Sequence, residues 1–169
     1  KPLVEIGGRA MIDRVLDALA VSAVESVLVA TSPATPATAA HVDAATVATP
    51  GEGYVTDLDT ALVDDRIDRP TLTVAADLPL LTGRVVDGVL DDHEGGSLTV
   101  AVPAALKRSL GISVDTTFDH GGRTVAPTGV NVVADAPSRT VVRDDPRLAV
   151  NVNRPADATV ADRRLSSDS

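Results

Sequence analysis

The sequence predicts an α/β protein in which a mostly parallel sheet lies between two layers of helices, a three-layer α/β/α architecture. Segments of strand length alternate with amphipathic helical segments from residue 3 to residue 102. Two apolar runs, at residues 26–30 and 71–76, lack the polar alternation of half-exposed strands, as expected for parallel strands buried on both faces. A length of 169 residues suits one domain, which we place at residues 1–165, followed by a polar tail at 166–169.

The first half of the chain is predicted to form three helices between short strands. An extended segment at residues 3–6 ends at a Gly-Gly pair, and a helix follows at about 10–21 with one apolar face, formed by Met11, Ile12, Val15, Leu16 and Leu19. After the strand at 26–30, Thr35 and Pro36 form the start signal of a helix that reaches about residue 42. A strand at 45–48 and a helix beyond residue 54 follow, the helix with Val55, Leu58 and Leu62 inward.

The second half begins with the central strand at 71–76 and then changes character. A helix from about Thr82, with Val85, Val86, Val89 and Leu90 inward, and a strand at 97–102 complete the alternation. Beyond residue 112, segments 114–118 and 123–126 flank a Gly-Gly turn and predict a hairpin. Short strands are expected at 129–133, 139–142 and 148–152, and Pro155 begins a last helix.

The composition argues against several classes of function. A formal net charge of −9 disfavours a nucleic-acid binder, because the field of the protein would repel phosphates. The absence of cysteine excludes disulfide scaffolds, thiolate zinc sites and thiol nucleophiles. No apolar run is long enough to cross a bilayer and no signal-peptide pattern begins the chain, so we expect a cytoplasmic protein without a membrane span.

The charged residues are unusual in kind. Of the 24 acidic residues 20 are Asp, and of the 15 basic residues 13 are Arg. Short, strongly hydrated carboxylates with few lysines are typical of proteins that work in concentrated salt, where screening suppresses self-repulsion. The composition therefore predicts a halophilic, salt-dependent protein.

The candidate site follows from the predicted sheet, because ligands of open α/β sheets bind beyond the carboxyl ends of the strands. The residues found there are Thr31, Ser32, Gly51 to Tyr54, Asp77 and, less directly, Gly129, Asn151 and Asn153. A carboxylate at the end of a buried strand is a natural Mg²⁺ ligand, which favours Asp77. In the alternative interpretation Asp77, which precedes Leu-Pro, only ends its strand and begins a turn.

Two further segments allow both a binding and a structural interpretation. The loop at 51–54 could hold an anion or contact a base through its N–H groups, or could be an ordinary glycine turn. It lacks the third glycine of a dinucleotide fingerprint, and the chain has no phosphate-binding P-loop motif. Asn151 and Asn153 lie on one side of a segment predicted to be extended. Their amides could accept from ribose hydroxyls or complete a cation shell, or could serve as turn and cap residues.

Six segments of the chain also resemble a known family. They are KPLVEIGGRAMID at 1–13, ATSPATP at 30–36, GEGYVTDL at 51–58, ADL at 76–78, TGVNVV at 128–133 and VNVN at 150–153. The first resembles the segment that follows the Gly-rich loop in nucleotidyltransferases of the molybdenum-cofactor guanylyltransferase type. Together, in this order, they resemble archaeal GTP:adenosylcobinamide-phosphate guanylyltransferases, and the resemblance extends to about residue 165.

This resemblance implies a Rossmann-like nucleotidyltransferase fold and an activity. The reaction would be transfer of GMP from GTP to adenosylcobinamide phosphate, giving adenosylcobinamide-GDP and pyrophosphate in cobalamin biosynthesis. By resemblance, Lys1 approaches the triphosphate, Asp77 holds Mg²⁺, and nucleotide is bound by Gly129, Asn151 and, as a weaker match, Asn153. By analogy only, the guanine and ribose would be lined by Thr31, Ser32, Gly51 and Gly53.

The sequence departs from the family pattern in two places. It begins at the family lysine, so we expect a fragment of a longer protein that lacks the N-terminal strand and the Gly-rich loop, and a protein of these residues alone would be a crippled catalyst. Arg154 stands where related sequences usually place a helix-capping Thr.

The alternatives to the guanylyltransferase are another nucleotidyltransferase, acting on molybdopterin or a sugar phosphate, and a non-catalytic nucleotide-binding α/β subunit. The sequence is compatible with both a monomer and a homodimer.

Overall fold

The computed structural model of the protein describes residues 1–167, and the chain divides into two compact units. The larger unit combines Lys1–Ala23 with the chain from Pro70 onward, and the smaller unit is Val24–Arg69. The single domain at residues 1–165 stays a prediction. Of the predicted polar tail, Ser166 and Ser167 belong to the last helix, whereas residues 168–169 lie outside the described residues.

The larger unit begins with a small hairpin and a helix. Strands β1 (Glu5–Ile6) and β2 (Arg9–Ala10) pair antiparallel around the Gly7-Gly8 turn, and helix α1 (Met11–Ala20) follows directly. The hydrophobic face of α1 is buried, as its 3.6-residue periodicity predicts; its buried residues are Met11, Ile12, Val15, Ala18 and Leu19.

The smaller unit contains a parallel pair of strands and two helices. Strand β3 (Val29–Thr31) pairs with β4 (Thr46–Ala48), with helix α2 (Pro36–His41) between them in sequence and α3 (Tyr54–Ala61) after them. The expected strand at 26–30 is shorter than predicted and ends one residue later, at Thr31. Helix α2 begins at Pro36, as its Thr-Pro start signal predicts.

The sheet of the larger unit has five strands, four of which run in the same direction. It consists of β5 (Thr71–Val74), β6 (Ser97–Pro103), β7 (Phe118–His120), β8 (Arg123–Val133) and β9 (Ser138–Val142), in the order β5-β8-β6-β9 with β7 beside β8. Strands β5, β6 and β7 are antiparallel to β8, and β9 is parallel to β6. The mostly parallel direction of the strands agrees with the sequence prediction, and β8 is the reversed strand.

The predictions of local structure are wrong in four places. On α3, Val55 was expected to face inward but is exposed. The expected strands at 123–126 and 129–133 form one 11-residue strand, β8. The helix α5 (Ala104–Leu110) was not predicted, because its seven residues are too few to show a clear periodicity. The strand expected at 148–152 is instead helix α6 (Pro146–Ala149) followed by a turn, since Asp145 caps the helix through the Arg147 N–H and Pro146 takes its first position.

The remaining helices lie in the larger unit. Helix α4 (Gly83–Asp91) buries Val85, Val86 and Val89, as predicted, and α7 (Pro155–Ser167) ends the described chain. A hydrophobic cluster joins α7 to the turn after α6 and contains Ile6, Met11, Leu80, Ile112, Val150, Val152 and Ala161. This cluster anchors Val150 and Val152 on either side of Asn151. Among residues 1–167, each helix is too short or too polar to span a bilayer.

Candidate functional site

Three side chains from distant parts of the sequence meet just beyond the carboxyl end of β5. Lys1 Nζ donates to Asp77 Oδ2 at 2.7 Å and to Asn153 Oδ1 at 2.6 Å. Asp77 follows β5 by three residues, and its side chain is 18% exposed, whereas that of Lys1 is 48% exposed. The pair of Lys1 and Asp77 is therefore open to solvent on the lysine side.

Backbone hydrogen bonds fix the position of this cluster. The N–H of Val152 donates to the carbonyl of Asp77 at 2.9 Å, which ties the turn containing both asparagines to the end of β5. The N–H of Ala75 donates to the carbonyl of Gly129 at 2.8 Å, which ties the same strand end to β8. The cluster is consequently held by main-chain contacts on two sides, independently of the ion pair.

Gly129 is required at its position by close packing. Its φ is +83°, and a Cβ built on it would lie 2.7 Å from the Cβ of Ala75. A side chain at residue 129 would therefore push β8 away from the end of β5, which carries Asp77. Gly129 thus acts through the backbone geometry of the strand end.

The oxygen atoms around Lys1 suit a hard cation. One carboxylate oxygen and one amide oxygen converge on a single ammonium group, and Mg²⁺ prefers oxygen ligands of these two kinds. Within residues 1–167, no group of three His, Cys, Asp or Glu side chains is placed to hold a metal ion. A Mg²⁺ ion at Asp77 would therefore take most of its ligands from water and phosphate, as Mg²⁺ commonly does. The residues present fit such an ion.

A buried lysine that the sequence analysis missed lies behind Asn151. Lys107 on α5 is only 4% exposed, and its Nζ donates to Asn151 Oδ1. Burial lowers the pKa of Lys107, against the attraction of the Asp157, Asp77 and Asp115 carboxylates. The available signal was the spacing from Ala104, which is buried three residues earlier and places Lys107 on the same helix face.

A buried carboxylate supports the other asparagine. Asp157 on α7 is 1% exposed and accepts from the N–H groups of Asn153 at 3.0 Å and Arg154 at 2.8 Å, as well as from the N–H and hydroxyl of Ser113. Burial raises the pKa of Asp157, but these hydrogen bonds outweigh it and hold the pKa below its ordinary value of 3.8. The side chain of Arg154, which precedes α7, is unsuited to cap this helix. Asp157, the third residue of α7, performs the capping instead.

The candidate residues of the smaller unit form a second group. Thr31 is buried at the end of β3, and its carbonyl accepts from the Thr49 N–H at 2.7 Å. Gly51, with φ +77°, passes close to Ser32, so that a Cβ on it would lie 3.1 Å from Ser32 Cβ. Gly53 precedes α3 with φ +116°. The structure thus brings Ser32 and Gly51 together.

The Gly51 loop does not offer the anion site that its glycines suggested. The N–H groups of Gly51 and Glu52 donate to Asp57 Oδ1, at 2.7 and 3.3 Å. A carboxylate therefore already takes these donors, and its negative charge opposes an anion at the same place. The predicted contact with a base stays a prediction.

Comparison with known proteins places the chain in a family. Residues 1–111 match the MobA-like NTP transferase domain. The chain is 28% identical over 188 aligned positions to the adenosylcobinamide-phosphate guanylyltransferase of Methanocaldococcus jannaschii, an alignment that spans 99% of this chain and 90% of that protein.

Solved structures with similar folds agree with this match. A hypothetical transferase from Thermus thermophilus superposes with a TM-score of 0.71 at 19% identity, over 94% of this chain and 90% of that one. The 2-C-methyl-D-erythritol 4-phosphate cytidylyltransferase of the same organism superposes with a TM-score of 0.62 at 15% identity, over 98% and 94% of the two chains. The fold is that of the nucleotidyltransferases, and the chain belongs to the MobA-like NTP transferase family.

Proposed function

We propose that this nucleotidyltransferase transfers GMP from GTP to adenosylcobinamide phosphate. The observation that carries the proposal is the alignment with the adenosylcobinamide-phosphate guanylyltransferase of M. jannaschii, which spans 99% of the chain. The six segments at 1–13, 30–36, 51–58, 76–78, 128–133 and 150–153 support it, since they resemble that enzyme family and lie in its typical order. Three of these segments contain the residues of the cluster at the end of β5, namely Lys1, Asp77 and Asn153.

The reaction requires alignment and charge neutralisation and no covalent enzyme intermediate. A phosphate oxygen of the acceptor attacks the α-phosphorus of GTP and forms the new P–O bond. The bond from that phosphorus to the oxygen bridging to the β-phosphate breaks, and pyrophosphate leaves with that oxygen. Because no nucleophilic side chain is needed, the absence of cysteine does not weigh against this chemistry.

The cluster at the end of β5 supplies the groups for the triphosphate. Asp77 and Asn153 would hold Mg²⁺, which when bound neutralises charge on the phosphates and polarises the α-phosphate. Without a nucleotide, the ammonium of Lys1 balances the Asp77 carboxylate at 2.7 Å. The Lys1 side chain is half exposed and has room to turn toward a triphosphate, where a positive charge stabilises the leaving pyrophosphate.

The remaining candidate residues are assigned to the nucleoside. By the family resemblance, Asn151 and the strand end at Gly129 would contact nucleotide. By analogy with the same family, we assign the guanine and ribose contacts to Thr31, Ser32, Gly51 and Gly53. The support for these assignments is the resemblance of the segments at 30–36, 51–58 and 128–133 to the guanylyltransferase family.

The test is a nucleotide and acceptor panel with the protein as its gene encodes it, including any residues upstream of Lys1. Pyrophosphate release is measured with GTP, ATP, CTP and UTP, each with adenosylcobinamide phosphate, in the presence of Mg²⁺. We expect release with GTP only. Molybdopterin and a hexose phosphate serve as control acceptors with each nucleotide. Release with one of these acceptors, and none with adenosylcobinamide phosphate, would reject the proposed acceptor.

A further inference from the structure

Lys107 and Asn151 form a contact that the transfer chemistry does not explain. Lys107 is one of only two lysines in the sequence, and it is buried on the inner face of α5. Burial of an ammonium group costs free energy unless the group finds partners, and the partner here is the side-chain oxygen of Asn151. Three carboxylates, those of Asp157, Asp77 and Asp115, add attraction at longer range.

The contact determines which way the Asn151 amide faces. An ammonium group can only donate hydrogen bonds, so the atom of Asn151 that contacts it must be the oxygen. The amide nitrogen then points away from Lys107. Asn151 is half-buried, and its neighbours Val150 and Val152 are held in the hydrophobic cluster. The backbone at residue 151 therefore has little freedom to turn the side chain away from Lys107. In the described part of the chain, the amide nitrogen of Asn151 has no hydrogen-bond acceptor.

Asn153, two residues later, contacts the other lysine of the chain, which is exposed rather than buried. Its oxygen accepts from Lys1 at the solvent-exposed cluster, so it presents an acceptor to the cation position. Asn151 has its oxygen occupied from the protein interior and has donors left for a ligand. The two asparagines are chemically identical, and the two lysines give them different roles.

We propose that Lys107 is a positioning residue that fixes the Asn151 amide with its oxygen inward, so that its NH₂ group donates to an oxygen of the bound nucleotide. The inference rests on the proposed function, because it takes GTP as the nucleotide. Lys107 itself contacts no ligand. Its effect on nucleotide binding passes through Asn151 alone.

The first experiment compares two substitutions at residue 151 by calorimetric titration with GTP and Mg²⁺. Asn151→Ala removes the donors and is expected to weaken GTP binding about tenfold. Asn151→Asp keeps an acceptor beside Lys107 but cannot donate, and its charge repels phosphate, so it should bind GTP more weakly than the alanine variant. Tighter binding by Asn151→Asp than by Asn151→Ala would show that residue 151 accepts from the nucleotide, and would overturn the proposal.

The second experiment is a double-mutant cycle with Lys107→Met, which keeps an unbranched side chain only one atom shorter and removes the charge. We expect Lys107→Met to weaken GTP binding several-fold in the wild-type background and to have no further effect in the Asn151→Ala background. A further loss in that background would mean that Lys107 contacts the nucleotide directly. Unchanged GTP affinity with a lowered Tm would mean that its role is only structural. Either result overturns the proposal.

A spectroscopic measurement tests the contact without any nucleotide. The sequence contains three asparagines and no glutamine, so side-chain amide NMR signals are few and easily assigned. Lys107→Met should shift the Asn151 NH₂ signal and leave that of Asn131 unchanged, and GTP should shift the Asn151 signal in the wild-type protein. An unmoved Asn151 signal in Lys107→Met contradicts the contact.

The outcomes separate this proposal from the proposed function. If the wild-type protein does not bind GTP, the proposed function fails, and the Lys107→Met spectrum still decides whether Lys107 holds Asn151. If Lys107→Met does not fold, the loss of GTP affinity in Asn151→Ala relative to wild type still tests the donors of residue 151, and recovery of affinity in Asn151→Asp still overturns the proposal. Asn131→Asp is the matched control for the added charge, with unchanged GTP affinity expected.

Discussion

Substitution of Gly129 tests how much the close packing of Gly129 against Ala75, at the end of β5, contributes to the free energy of unfolding. A Cβ at residue 129 would lie 2.7 Å from Ala75 Cβ, which belongs to a methyl group without a rotamer to move into. The Ala75 N–H also donates to the Gly129 carbonyl at 2.8 Å, so that relief of the clash requires loss of a strand contact. Overpacking of this kind costs about 1–3 kcal/mol.

A matched control separates the clash from the backbone strain. Gly122 in the β7–β8 turn has φ +74°, close to the +83° of Gly129, but a Cβ on it meets no atom within 4 Å. Alanine at a positive φ costs roughly 1–2 kcal/mol at either position. Gly129→Ala should therefore be destabilised by about 1–3 kcal/mol more than Gly122→Ala, the difference being the overpacking alone.

The assay is urea unfolding of both variants, followed by circular dichroism, with the free energy of unfolding taken from the midpoint and slope. Gly129→Ala should also lose more transferase activity than Gly122→Ala, because it displaces the strand end that carries Asp77. Equal free energies of unfolding for the two variants would refute the close packing at Gly129.

Three further predictions concern pH, salt and charge. Because the pKa of Asp157 is lowered in the folded protein, its stabilising effect is present above pH 3.8 and is lost as the pH falls through the lowered value. The stability difference between wild type and Asp157→Asn should accordingly shrink below pH 4, which urea midpoints at several pH values will show, and a constant difference would contradict it. The excess of Asp over Lys predicts a melting temperature that rises from dilute buffer to molar KCl, and an unchanged circular-dichroism melt would argue against salt adaptation. Lys1→Met should raise KM for GTP several-fold if Lys1 contacts the triphosphate, whereas an unchanged KM would exclude that contact.

Periodicity predicted the elements that have long, uniform apolar faces. Helices α1 and α4 bury most of the residues expected from their 3.6-residue spacing, whereas Leu16 and Leu90 are only half-buried. The carboxyl end of the strand at Thr71–Val74 was located well enough to select Asp77. The reversed strand β8 was divided into two, because a glycine at residue 129 and a proline at residue 127 resemble interruptions when read along the chain.

Residues that act from the interior were harder to find. Asn151 and Asn153 were selected as candidates, but Lys107 and Asp157, which hydrogen-bond to them, were not. Both are charged residues, a class that is mostly exposed in folded proteins. Their roles depend on α5, α6 and the start of α7 meeting at one turn, and the strand predicted at 148–152 concealed that turn. The backbone links from Val152 to Asp77 and from Ala75 to Gly129 are tertiary contacts without a local sequence signal.

The most direct test of the central claim is the GTP-dependent transfer rate of Asp77→Asn in Mg²⁺, measured with adenosylcobinamide phosphate as acceptor. Asp91→Asn is the matched control, because it removes the same charge from an exposed position in the same unit. We expect kcat/KM to fall by about a hundredfold or more in Asp77→Asn, since loss of a metal-holding carboxylate removes several kcal/mol of transition-state stabilisation. The kcat/KM of Asp91→Asn should stay close to that of the wild-type protein. A rate in Asp77→Asn equal to that of the control would contradict the assignment of the cluster at the end of β5 as the transferase site.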